Sequence, residues 1–427
     1  MTPLVQHQET RDTKKYIIGK RNPKLNHTLH IGRFYALDGS LGAPVYIDVS
    51  NPHVLLIAGK RGYGKSYTIG VFLEEFNRLP CEIRKKYCFV VIDTLGIFWT
   101  VTYPNEKQHH LLSQWNMNSK GTPIQMLHTA QHMPEIYQHN LQGNKFQIPP
   151  RILSINQWCE LFEFSLVQPE ARVLSSSILS LQSKQKNFSM LDIIDELNNT
   201  NASKDTIQTV ESYLQQAISW NIFSENADPL LTLVKPGEIT IVDLSYVKSN
   251  HLKQIITGII AEQLFYFRVN QRKKEEYNAI RKTPIDQLPY IWLAIDEAHL
   301  FIPKNKSSYV KKVLLHNWLR QGRQPGLSVI LATQRPSFMD QEVLSHSDIV
   351  LCHRLTAYDD IESLTHLRPI YMKEDMKATI KQIGIKKGVA LLIDDVVETS
   401  HVIQIRPRYS WHGGGEPNEN MIEYDEK

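Results

Sequence analysis

The chain has 427 residues, of which 42% are apolar and 22% charged, with a formal net charge of +4. That balance belongs to a globular chain able to bury a large core, and the mild positive charge does not by itself mark a nucleic-acid binder. Four cysteines at no C-x-x-C spacing give no zinc pattern, and no apolar run reaches the roughly 20 residues that span a bilayer, so a cytoplasmic protein with no membrane partner is expected.

Residues 1–30 carry no clear period and read as an arm. Residues 31–50 place Gly-rich turns between short alternating runs, which suits a β-hairpin. VLLIAG at 54–59 is a short apolar run of the kind that forms a strand buried on both faces. Lys65 to Arg78 follows with Ile69, Phe72, Leu73 and Phe76 on one helical face, and FVVIDT at 89–94 is a second buried strand. The polar stretch 105–235 reads as an inserted, mainly helical subdomain with RILSI at 151–155 as a strand. In it Ser189 and Asp192 make a capping-box pattern, and Ile207, Val210, Leu214 and Ile218 form one stripe.

Strand character returns at 238–245, and a helix is predicted from Leu252 to Arg268. Four runs follow in YIWLAIDE (290–297), LSVILATQ (327–334), DIVLCHRL (348–355) and VALLIDD (389–395), then HVIQIRP (401–407). Strands alternating with helices predict an α/β fold with a mainly parallel sheet covered on both faces. The expected division is an arm and short β element at 1–50, core segments at 51–104 and 236–411 flanking the insertion, and a flexible acidic tail at 412–427.

The chemistry concentrates after the first buried strand. Gly59-Lys60-Arg61-Gly62-Tyr63-Gly64-Lys65-Ser66 fits G-x-x-x-x-G-K-[ST], and with Tyr67 these residues are the candidate nucleotide contacts. The glycines free the backbone so that successive N–H groups surround a phosphate. Lys65 reaches the β- and γ-phosphates, Ser66 ligates Mg²⁺, and the helix adds its N-terminal dipole. ATP and Mg²⁺ are therefore the expected ligands.

Asp296 and Glu297 end a second apolar strand, where Asp296 would hold Mg²⁺ and Glu297 would polarise the attacking water. Asp93 and Asp243 also end apolar strands, as phosphate-edge groups or as plain caps. Gln334 ends the next strand, as a γ-phosphate sensor or as a simple strand-end polar group. Arg320 and Arg323, in NWLRQGRQPG, are each either a surface residue or an arginine finger for a neighbouring subunit.

GKRGYGKS, AIDEAHLFIP, RQGRQPGLSVILATQRPS and HRLTAYDD, with KPGEITIVDLS before the acid strand, together resemble the HerA branch of the HerA–FtsK ATPases. The resemblance covers about 50–100 and 236–408. It implies a RecA-like domain, assembly into hexameric rings, and ATP- and Mg²⁺-driven translocation on double-stranded DNA, with a nuclease or defence partner. By position it makes Lys65 and Ser66 the phosphate and Mg²⁺ residues, Asp296 the Mg²⁺ ligand, Glu297 the water activator and Gln334 the sensor. Arg320 or Arg323 would be the finger.

The chain departs from that pattern in three places. Only 58 residues precede Gly59, too few for the family's N-terminal barrel; His53 stands where many relatives have Arg; and Ile97 follows Gly96 where relatives often have an acid. DNA contacts are expected from basic groups at Lys304, Lys306, Lys311 and Lys312, at Arg272, Lys273 and Lys274, or at Lys381, Lys386 and Lys387, each of which equally suits a solvated face. A motor is one functional reading. An ATP-gated assembly module for a nuclease or defence complex is a second, and a pump for another polymer a third.

Overall fold

The computed structural model describes residues 15–415 apart from 21–24, 37, 130–134, 136–142, 285–287, 367–376, 381–382 and 384–385. Lys381, most of the expected arm and the acidic tail from 416 onward therefore lie outside the described residues.

The described strands, in chain order, are β1 (Tyr16–Ile18), β2 (Thr28–Tyr35), β3 (Leu41–Asp48), β4 (Val54–Ala58), β5 (Tyr87–Asp93), β6 (Gln125–His128) and β7 (Gly143–Lys145). Then come β8 (Ile239–Asp243), β9 (Tyr290–Ile295), β10 (Leu327–Thr333), β11 (Ile349–Cys352), β12 (Val389–Asp394) and β13 (Thr399–Ile405). They join one sheet in the order β1-β3-β2-β13-β12-β11-β4-β10-β9-β5-β8-β6-β7. From β11 to β7 every pairing is parallel. The antiparallel pairs gather on the other side, where β2 and β3 form the expected hairpin and dock on β13.

The parallel strands are apolar because both their faces are covered. In β4, Leu56 and Ala58 pack into one core with Trp158, Ile256 and Leu293, while Leu55 and Ile57 face the opposite core with Ile69 and Phe72. The period of two thus divides one strand between two helical layers. The second layer contains α1 (Lys65–Arg78), which starts directly from the phosphate loop.

The segment 105–235 supplies the helices Pro169–Lys184, Met190–Leu197 and Lys204–Ser219, which pack on one another. The Ser189 capping box is present. The segment also supplies β6, which pairs with β8 and so ties this stretch into the sheet.

Two expectations need correction. RILSI is no strand: Pro150–Ile152 is a 3-10 turn, and Ser154 caps the helix Ile155–Leu161. Its hydroxyl accepts from Gln157 N while the Gln157 side chain accepts from Ser154 N, a reciprocal pair that favours helix over an extended run. The helix expected at 252–268 instead runs from Asn250 to Arg281. Its added turns are held by Arg272 paired with Glu275 and Glu276 at helical spacing, and by buried Arg268 with Glu275.

Candidate functional site

Parallel pairing brings the ends of β4, β10 and β9 to one edge of the sheet. The loop 59–64, Asp296-Glu297 and Gln334 each follow one of those strands, so the fold alone assembles them. Gly62 and Gly64 have φ of +79° and +114°, conformations that strain any residue with a Cβ. A Cβ built on Gly62 would meet nothing within 4 Å, so the loop has open space beside Gly62.

Beneath the loop lies a residue the sequence did not announce. His353, at the end of β11, is fully buried against Gly59 and Gly64, and a Cβ on Gly59 would come within 2.7 Å of its side chain. Burial, against a hydrogen bond to Val389 O, lowers its pKa to about 4. The neutral ring with its proton on Nδ1 donates to Val389 O at 3.1 Å, and Nε2 accepts from the Thr68 hydroxyl at 2.9 Å. The Thr68 backbone N–H donates to Gly64 O at 2.8 Å, so His353 props the last loop glycine through Thr68.

Inside the loop, the Ser66 hydroxyl donates to Asp296 Oδ2 at 2.7 Å. The two residues expected to share a cation are therefore in contact although their positions differ by 230. Lys65 is buried, with Nζ 3.4 Å from Lys60 O, and burial lowers its pKa against the pull of Glu297 and Asp296. Burial raises the pKa of Asp296, opposed by the bonds from Ser66 and from Glu297 N. For Glu297, burial and then the charge of Asp296 outweigh Lys65 and Arg61 and bring the pKa to about 6. Glu297 has φ +53°, and its Oε2 is buried without a hydrogen bond. His299 Nδ1 stands 3.3 Å from that oxygen and 3.3 Å from Thr333 Oγ1.

These features fit a phosphate and a divalent cation: a loop with open space beside Gly62, a lysine beside two carboxylates, a hydroxyl–carboxylate pair, and an orphaned carboxylate oxygen. A cavity of about 470 Å³ adjoins them, lined among others by Lys60, Arg61, His299, Gln334 and Arg335. Lys60 and Arg61 are exposed. Tyr63 accepts from Arg354 Nη1 at 2.5 Å, and Arg354 lies 5.0 Å over its ring. Tyr67 points elsewhere: its hydroxyl accepts from Arg408 N at 2.7 Å and donates to Gln108 Oε1 at 3.0 Å.

Asp93 takes the capping alternative. Its two oxygens accept from the backbone N–H groups of Leu95, Gly96, Ile97 and Phe98, which leaves nothing to offer a nucleotide. Burial and neighbouring Asp243 still push its pKa up to about 7.

Arg320 and Arg323 sit before β10, at the edge away from the loop. Seven strand residues separate the two edges, about 20 Å. Neither arginine serves this chain's own site. Both are exposed, but Arg320 is held by Glu342 through Nε at 2.9 Å and Nη2 at 2.5 Å. Among the basic groups, Lys311 is a brace rather than a free cation, with Nζ 2.7 Å from both Pro303 O and Asp340 Oδ2. Lys304, Lys306, Lys312, Lys273, Lys274 and Lys387 are exposed; Arg272 is paired with acids, and Lys386 meets the Tyr35 hydroxyl.

The DNA double-strand break repair helicase HerA of Pyrococcus furiosus is 24% identical over 202 residues, covering 43% of this chain and 35% of that protein. A probable helicase of Methanocaldococcus jannaschii is 21% identical over 389 residues, covering 87% of this chain and 66% of that one. The chain thus spans about a third of the first relative and just under two thirds of the second. Among solved structures, VirB4 of Thermoanaerobacter pseudethanolicus superposes with a TM-score of 0.55 at 13% identity, covering 91% of this chain and 97% of that one, which supports the α/β P-loop fold. The family model described as the central domain of helicase HerA matches residues 29–264, more than half of the chain, and the chain belongs to that HerA family.

Proposed function

We propose that this chain hydrolyses ATP and couples hydrolysis to movement along double-stranded DNA as part of a homo-oligomeric, hexameric ring. The observation that carries the reading is the Ser66–Asp296 contact of 2.7 Å beside an unpaired Glu297 oxygen, since it unites a cation site with a base next to the phosphate loop. Loop N–H groups and Lys65 hold the β- and γ-phosphates. Ser66 and Asp296 hold Mg²⁺, which when bound offsets the phosphate charge. Glu297 takes the proton of the attacking water, and Gln334 orients that water or senses the γ-phosphate. Arg323, exposed and lacking the carboxylate clamp that Arg320 has, is the better-placed finger for a neighbour's site.

The DNA role draws support from the relatives called HerA repair helicases and from the exposed Lys304, Lys306 and Lys312 that follow the acid strand. A nuclease or defence partner belongs to the same reading.

The test is ATPase rate with and without double-stranded DNA for the wild type, Lys65→Ala and Glu297→Gln. DNA stimulation is expected, with both variants losing at least about 100-fold in rate. Hydrolysis indifferent to DNA would instead support the assembly-module reading.

A further inference from the structure

We propose that His299 is a positioning residue for ATP hydrolysis, its Nδ1 moving between Thr333 at the end of β10 and the carboxylate of Glu297. The inference rests on the assignment of Glu297 as the base. One nitrogen has two oxygen neighbours at equal range, Thr333 Oγ1 and Glu297 Oε2, each at 3.3 Å. Only the first is a hydrogen bond; Oε2 is within ion-pair reach but remains buried and unbonded.

A neutral imidazole carries one proton, so a proton on Nδ1 serves one of these oxygens well and the other poorly. Thr333 Oγ1 is already satisfied in part, since it accepts from Arg335 N at 3.0 Å. A small rotation of the ring would therefore transfer the N–H to the oxygen that has no donor.

Thr333 is the last residue of β10, and Gln334, the proposed sensor, is the next residue in the chain. A shift of Gln334 toward a γ-phosphate pulls on Thr333 and loosens its hold on His299. The released N–H then fixes the Glu297 carboxylate, leaving Oε1 to face the water. In the other position Glu297 is unanchored and a poor base. Among the described residues His299 makes no hydrogen bond to the loop backbone or to Lys65, although it lines the same cavity, so its effect on the rate is exerted through Glu297.

The experiment measures kcat and KM for ATP, with fluorescent ATP-analogue binding in parallel, for wild type, His299→Leu, His299→Asn, Glu297→Gln and the double variant Glu297→Gln/His299→Leu. Asn keeps an N–H donor near the position of Nδ1. His299→Leu is expected to lower kcat by about 10- to 100-fold, with analogue affinity within about twofold of wild type. His299→Asn should recover most of that loss, and His299→Leu should have no further effect once Glu297 is Gln.

Equal loss in His299→Leu and His299→Asn would overturn the proposal, because packing alone would then explain the residue. So would parallel loss of affinity, or additive losses in the double variant. If Glu297→Gln itself keeps wild-type kcat, the base assignment fails, and the positioning role fails with it by a separately visible route.

Discussion

His53 occupies the position where many HerA relatives are expected to carry arginine, and the structure shows what it does there. Its Nδ1 lies 2.6 Å from Asp348 Oδ2, its Nε2 3.9 Å from Asp48 Oδ2, and the ring is buried at the start of β4. Burial alone would favour the neutral ring, but the hydrogen bond to Asp348 and the nearby charges of Asp348 and Asp48 outweigh it and raise the pKa to about 9. The folded state thus holds this proton more tightly than the unfolded chain, whose histidine titrates near pH 6.5. The resulting stability is complete below about pH 6.5 and is lost as pH rises through about 9. Urea midpoints measured from pH 6 to 10 are expected to fall over that window for wild type, and His53→Leu should lack that component of the slope. The loop, the acid pair and Gln334 were legible in the sequence because each is a local pattern at a strand end. His353, Thr333 and His299 were not, since their roles lie in contacts between distant residues: His353 meets Thr68 across 285 positions. The available signals were the quoted runs that hold them, HRLTAYDD for His353, AIDEAHLFIP for His299 and LSVILATQRPS for Thr333.

At the scale of elements, α1 is fastened by the chain that follows β13. Glu74 on α1 is buried and accepts from Arg406 Nη1 at 2.8 Å, Arg408 Nε at 3.3 Å, and the backbone N–H groups of Tyr409 and Ser410 at 3.0 Å each. Burial opposes its charge, but Arg406 and Arg408 prevail and lower its pKa. Glu74→Gln should destabilise the fold by about 3–5 kcal/mol in chemical denaturation, because it leaves two buried guanidinium groups short of charge. Gly70 makes the same point sterically: a Cβ there would stand 2.5 Å from the Arg408 guanidinium. Gly70→Ala should lower the unfolding midpoint even though alanine favours helix by about 1 kcal/mol in an open position. The buried strands were readable from their apolar runs, and the capping box at Ser189 from its spacing. The stretch after Pro150 was misread because an apolar run does not distinguish strand from helix until its cap is considered. The reach of the helix to Arg281 was missed because its last turns depend on ion pairs rather than on an apolar stripe.

For the whole molecule, the proposed ring places Arg323 in another subunit's site. Mixing wild type with increasing Arg323→Ala should depress ATPase rate more steeply than dilution alone, whereas Arg320→Ala, which breaks a clamp to Glu342, should act chiefly on stability. Light scattering with ATP and DNA gives the mass; a monomer at micromolar concentration would remove the basis for a finger in trans. The α/β class and parallel core were legible from alternating elements. The strand order was not, since nothing in a one-dimensional pattern says that β10 slots between β4 and β9.

That strand order also bears on how the protein is made. β4, which carries the phosphate loop, finds both its neighbours in β10 and β11, and the later of these ends at Cys352. A ribosome adding about 5–20 residues per second needs roughly 15–60 s to get from Ala58 to that point. VLLIA has no partner strand until β10 is made at Leu327–Thr333, and the nucleotide cradle lacks its floor until His353 follows β11, well after the acid wall at Asp296-Glu297. Nascent chains arrested before residue 327 should therefore fail to retain a nucleotide analogue, while those released after 352 with the closing strands in place should hold it. During synthesis, chaperones are expected to engage the chain most strongly while that first strand waits.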